Sequence, residues 1–202
     1  MSQDFSATFI QKREIQFTLD GKPVSIETSG SEAPTIFEAA QKCGVTIPTL
    51  CHQQNEKPVG VCRVCVVDVG ARVYPASCVR PLEAGMQIKT ATEDVKAARK
   101  TLLELLMTDH PSPCARQKLS ADCELERLAK EAGIKQTPFA PRATPRGHDD
   151  SSLSIAVDHE ACILCDRCIR GCNEIRHNFV LARRGKGYQA GISFDENVPM
   201  AT

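Results

Sequence analysis

Apolar positions change their spacing three times along this chain. The runs Glu14–Phe17 and Val24–Glu27 flank Asp20-Gly21, a dipeptide that favours a two-residue hairpin turn, and predict two paired strands. Pro34–Lys42 follows with Ile36, Ala39 and Ala40 on one side, which predicts a short helix ended by Gly44 in the left-handed conformation. The β-branched runs Val64–Val69 and Arg72–Tyr74, around Gly70, predict another strand pair, and Met86–Lys89 a last strand. Residues 1–12 read as a loose arm.

From Glu93 to Asp109 the spacing becomes helical. Val95, Ala98, Leu102, Leu105 and Leu106 recur at three- and four-residue intervals. Two starts are open: a capping box of Thr90 and Glu93, or Thr92 as cap with Asp94 in the first turn. Cys123–Ala132 predicts a second helix closed by Gly133. Gln136–Asp150 holds three prolines and reads as a linker, and Ser152–Val157 as a strand. The division expected is 1–92, a small sheet around a helix; 93–135, helical; 136–150, linker; and 151–202, a second cysteine-rich unit.

Composition narrows the chemistry. The 202 residues carry 25 acidic and 25 basic side chains, which argues against a nucleic-acid partner held by bulk charge. No apolar run is long enough to span a bilayer, and none at the start reads as a signal peptide, so no direct membrane insertion and a cytoplasmic location are expected, at the inner face of a membrane if a complex holds it there. In that compartment the eleven cysteines point to metal rather than to disulfides.

Ten of them fall into three groups. Cys51, Cys62, Cys65 and Cys78 match in number the four thiolates of a 2Fe–2S centre, with Gly60 where backbone must come close. A structural four-cysteine zinc site is the alternative, although only one CxxC knuckle is present. Cys162, Cys165, Cys168 and Cys172 form a C-x2-C-x2-C-x3-C run of the bacterial-ferredoxin kind. In such runs three cysteines bind one 4Fe–4S cluster and the fourth serves another. Between the two lie His110, Cys114 and Cys123. Cys43 stands outside these spacings and reads as a small buried thiol.

The run Ile47-Pro48-Thr49-Leu50-Cys51, with Gly60-Val61-Cys62-Arg63-Val64-Cys65-Val66-Val67, resembles the N-terminal region of the large iron–sulfur subunit of complex I. The same module occurs in the small diaphorase subunit of NAD-reducing hydrogenases and in NAD-dependent formate dehydrogenases. The resemblance implies an α+β fold: a β-grasp 2Fe–2S ferredoxin domain, a helical segment, and a partial 4Fe–4S ferredoxin-like domain. It implies that Cys51 and Cys62 hold one iron and Cys65 and Cys78 the other. It also implies a further 4Fe–4S site of pattern H-x3-C-x2-C-x5-C. Here His110, Cys114 and Cys123 take three of the offsets and Gln117 takes the fourth. An amide oxygen is a poor substitute for thiolate at iron. That site then holds nothing, holds an incomplete cluster, or draws on another thiol.

The resemblance places a second CxxCxxCxxxC run after Cys172, and none follows. The expectation is a fragment or a deviant form, with Cys172 directed to an absent second cluster. Arg183, Arg184 and Lys186 read as a solvated turn, with a docking surface as the alternative. The function expected is electron relay inside a multi-component oxidoreductase of NADH dehydrogenase, hydrogenase or formate dehydrogenase type. Partners would be flavin/NAD, hydrogenase or molybdopterin subunits, and no reaction centre is expected in this chain itself. A redox-sensing module and a structural zinc protein are the alternatives.

Overall fold

A computed structural model describes residues 12–29, 32–150 and 156–194. The arm expected over 1–12 lies outside these residues except for Lys12, which opens the first strand. Strand β1 (Lys12–Leu19) pairs antiparallel with β2 (Lys22–Ser29), with Asp20 and Gly21 at the turn. Both strands extend two residues or more beyond the apolar runs at each end, because the ladder is set by backbone pairing. Alternation places Phe17, Leu19 and Ile26 in the core. Helix α1 (Ile36–Lys42) begins at Thr35 through a capping box: the Glu38 amide donates to Thr35 Oγ1, and the Thr35 amide to Glu38 Oε2. Ile36, Ala39 and Ala40 are buried as expected. Strand β3 (Gln87–Ile88) lies parallel to β1, giving the sheet order β2–β1–β3 with α1 packed against it.

The strand pair expected over Val64–Val69 and Arg72–Tyr74 does not form. Val66 bridges Ala76 and Asp68 bridges Lys89 as single contacts. The chain needs residues 70–75 to swing wide, because it must bring Cys65 and Cys78 to one place. The Ser77 amide donates to the Cys65 carbonyl at 3.1 Å, which closes that wider loop.

Helix α2 (Glu93–Thr108) is capped by Thr92, whose hydroxyl accepts from the Val95 amide at 3.2 Å. Thr90 is not the cap: its hydroxyl and amide both donate to the Asp20 carboxylate, at 2.6 Å each, and tie the hairpin turn to the end of β3. The inward stripe is rotated from the one expected. Leu103 is buried with Val95, while Leu105 is exposed. Helix α3 (Ala115–Ser120), which the apolar spacing does not predict, precedes α4 (Glu124–Glu131), where Leu125, Leu128 and Ala129 face α2.

The stretch 136–150 is not a free linker. His148–Asp149 is a strand, β4, paired with β5 (Val157–Asp158). The Arg142 amide donates to Asp109, and the Arg146 guanidinium to the Cys162 carbonyl at 2.7 Å. Of the strand expected over Ser152–Val157, residues 152–155 lie outside the described residues. Helix α5 (Arg167–Arg170) continues as a π-helical turn over Gly171–Ile175, and β6 (Leu181–Arg184) pairs with β7 (Gly191–Phe194). Arg183 and Arg184 therefore belong to a strand rather than to a turn.

Candidate metal centres

The four cysteines of the first group converge. Cys51, Cys65 and Cys78 have no exposed surface, and Cys62 is buried. The Cys51 amide donates to Cys62 Sγ at 3.4 Å, and Cys65 Sγ lies 3.4 Å from Cys78 Sγ. Cys51 also lies within hydrogen-bonding reach of Cys78, so the two pairs meet. Their proton affinities are strongly split. The Cys62 thiol, donating to Cys51, holds Cys51 far below the usual thiol range. Cys78 does the same to Cys65, which falls to about 6, while Cys62 and Cys78 are pushed up. Half of the set is already disposed to be thiolate, the form that binds metal.

Gly60, beside this pocket, has φ +63, and a Cβ there would meet the Val79 methyls at 3.2–3.3 Å. Backbone approaches closely here, as the glycine suggests. Arg99 donates to the Val66 carbonyl at 2.7 Å, which places a half-buried positive charge beside the thiolates. Cys43 is half-buried against the core rather than fully buried.

The last group is differently housed. Cys162, Cys165 and Cys172 are half-buried and Cys168 is exposed. Their loop takes left-handed backbone at Leu164 and Asp166, without glycine. Asp158 holds the start of the loop by accepting from the amides of Glu160 and Ala161. Arg183 holds its middle, bonding Asp166 and the Leu164 carbonyl at 2.7 Å each. Cys165 turns inward and packs, with Ala161 and Ile163, in one cluster with Leu50, Cys51 and Cys62. Burial pushes its thiol up.

One contact between the two groups had no sequence signal beyond its place between Cys168 and Cys172. Arg170 is 4% exposed. Its guanidinium donates to the Lys57 carbonyl at 2.7 Å and to the Cys51 carbonyl, and pairs with Glu56 at 3.1 Å. A side chain of the last cysteine run is thus bonded directly to the backbone of the first.

The middle group also converges, and with an addition. His110, Cys114, Cys123 and Glu126 place one ligand atom each within 4.8 Å of all the others. Glu126 has no counterpart in the expected ligand pattern. Gln117 is at the site, but its amide oxygen accepts from the Cys123 backbone N–H at 3.1 Å. Burial pushes the His110 imidazole towards its neutral form and the Cys114 thiol up to about 11.

Residues 12–93 match the family described as a 2Fe-2S iron-sulfur cluster binding domain. The chain is 37% identical, over 89% of its length, to the NADP-reducing hydrogenase subunit HndD of Solidesulfovibrio fructosivorans. It is 32% identical, over 98% of its length, to the mitochondrial NADH-ubiquinone oxidoreductase 78 kDa subunit of Neurospora crassa. It spans only 31% and 27% of those two proteins. It is also 32% identical to the NAD-reducing hydrogenase HoxS subunit gamma of Cupriavidus necator, covering 85% of this chain and 72% of that one. A crystal structure of an NAD+-reducing NiFe hydrogenase in the H2-reduced state contains a chain that superposes with a TM-score of 0.79 at 31% identity. The match covers 89% of this chain and 74% of that chain.

Proposed function

This chain belongs to the family of iron–sulfur subunits of NADH dehydrogenase and NAD-reducing hydrogenase complexes, and from that premise we propose that it relays single electrons within a complex of this kind. The observation that carries the reading is the closed pocket of four buried thiols, inside residues matched to a 2Fe–2S domain. Cys51, Cys62, Cys65 and Cys78 would hold that cluster. When bound, it supplies reversible one-electron chemistry.

The donor set suits it: soft ligands, two already inclined to thiolate, in a site from which water is excluded. The chain's own part is to fix the ligands and tune their surroundings. Gly60 admits the backbone, and Arg99 sets a positive charge beside Cys65.

Cys162, Cys165 and Cys168 would hold a 4Fe–4S cluster, with Cys172 directed to a second one. Residues 1–92, 93–135 and 151–202 form three units in this reading, and 136–150 straps the second to the third. Arg170 keeps the two cysteine loops side by side. Partners would be subunits carrying flavin and NAD on one side and a hydrogenase, quinone-linked or molybdopterin centre on the other. Among the described residues no helix is long and apolar enough to cross a membrane.

The test is electron paramagnetic resonance of the purified, anaerobically reduced chain. A 2Fe–2S signal is expected, and Cys62→Ser should remove it. An unchanged spectrum in that variant would overturn the ligand assignment. Zinc in the first group, without iron or acid-labile sulfide, would replace the reading with a structural one.

A further inference from the structure

We propose that His110, Cys114, Cys123 and Glu126 form a mononuclear tetrahedral site for a divalent ion of the zinc class, in place of an iron–sulfur cluster.

All four donor atoms lie within 4.8 Å of one another, and two of their separations match those about a single ion. Zinc binds thiolate at about 2.3 Å and imidazole at about 2.0–2.1 Å, so a tetrahedron places those two donors about 3.5 Å apart. Cys123 Sγ and His110 Nε2 are 3.6 Å apart. His110 Nε2 and Glu126 Oε1 are 3.7 Å apart, close to the about 3.4 Å edge for nitrogen and carboxylate oxygen. A cubane asks for something else. Its four ligands sit on four different irons at separate corners, so a cluster would require these side chains to spread apart from where they stand.

The chemistry of the donors agrees. A carboxylate is a common zinc ligand, whereas cluster sites draw on thiolate. Two thiolates, one carboxylate and a neutral imidazole give a borderline-soft set that suits zinc.

The surroundings orient each donor. His110 Nδ1 lies 3.2 Å from the Ala161 carbonyl. A carbonyl can only accept, so Nδ1 carries the proton and Nε2 keeps its lone pair for an ion. Glu126 Oε1 accepts from the Cys114 amide at 2.8 Å, and Ser112 donates to Oε2 at 3.3 Å. Cys114 and Cys123 are the N-caps of α3 and α4, so both sulfurs leave the backbone at fixed points. Gln117 is spent on the Cys123 backbone and is not needed as a ligand. The thiol missing at Gln117 is thus answered by Glu126, one helical turn beyond Cys123. Such an ion is redox-silent. It would clasp the end of α2 to α3 and α4 and, through Ala161, to the last cysteine loop.

The inference does not depend on which clusters fill the other two groups. The experiment is metal analysis of the full chain, purified and reconstituted anaerobically with iron, sulfide and zinc. One zinc per chain is expected beside the iron. Glu126→Gln and Cys114→Ser should each weaken zinc binding by ~10²-fold or more, since even outer-shell changes cost 10–100-fold. Iron, sulfide and the 2Fe–2S resonance should stay at wild-type levels in both variants, which shows that the chain has folded. Added Co2+ should give the strong visible bands of a tetrahedral thiolate site, absent from Cys123→Ser. The proposal is overturned if the chain binds neither zinc nor cobalt, or if zinc survives both variants. Zinc lost from Cys114→Ser but kept by Glu126→Gln would remove Glu126 from the ligand set and overturn the four-ligand site. A further iron cluster lost in Cys114→Ser, held with help from Cys165 across the shared 160 Å³ cavity, would overturn it as well.

Discussion

Cys51, Cys62, Cys65 and Cys78 are gathered from 28 positions of chain (51 to 78) and end in a pocket with almost no exposed surface. Cys162, Cys165, Cys168 and Cys172 come from 11 consecutive positions (162 to 172), yet Cys168 is exposed and the others are half-buried. The first site is made by a fold: sheet, helix and loop must all close before the thiols meet. The second is made by a loop, whose order rests on Asp158, Arg183 and contact with its neighbours. Close spacing in sequence therefore does not mean a closed site in space. What makes a closed site is the number of independent elements that converge on it.

The sharpest way to break this contrast is to replace one cysteine in each group. Cys65→Ser should abolish the 2Fe–2S resonance and lower the unfolding free energy by ~5 kcal/mol or more, because ligand binding there is also folding energy. Cys168→Ser should abolish the resonance of the last group, while stability in thermal melting followed at the 2Fe–2S absorbance falls far less than in Cys65→Ser, because the last loop is one exposed element outside the core of the first unit. Equal destabilisation by both would show that the last loop is as integral to the fold as the first.

The next effect concerns the join. Arg170→Ala leaves the Glu56 carboxylate, 9% exposed, without its cation, and two carbonyls without their donor. Breaking a buried pair from one side costs about 3–5 kcal/mol. Chemical denaturation of the loaded chain should show that loss. Methionine at the same position should cost less, because Glu56 can then rearrange towards water with packing retained.

The smallest effect tests the scaffold between the groups. Thr92→Ala removes the cap of α2 and should cost ~1 kcal/mol in the same denaturation experiment, without changing any resonance. A changed 2Fe–2S spectrum would mean that α2 reports on the first site through Arg99, which donates from that helix to Val66.

Much of the first unit could be read along the chain. Asp20-Gly21 between apolar runs dictates a hairpin locally, and Thr35 with Glu38 dictates a helix start locally. The loop after Cys65 could not be read that way. Its β-branched residues satisfy strand preference, but Cys65 and Cys78 must converge, and that long-range demand overrides pairing at Gly70. The buried stripe of α2 is rotated slightly from the one the spacing predicts, because Leu102, Leu103, Leu105 and Leu106 offer more apolar positions than one face can bury. Which of them turns inward depends on where α4 lies.

The sequence by itself determined the chemistry: thiols in groups, at spacings that suit iron and sulfur, with a glycine where backbone must pass close. Ligand type and local turns are short-range properties, so they are written in short stretches of residues. The tertiary structure alone decided who stands beside whom. It brought Glu126 to His110, Cys114 and Cys123, turned Gln117 to the backbone, and passed Arg170 from the last cysteine run to the carbonyl of Cys51. These depend on how α2, α4 and α5 pack, and packing is a property of the whole set of buried surfaces rather than of any one segment.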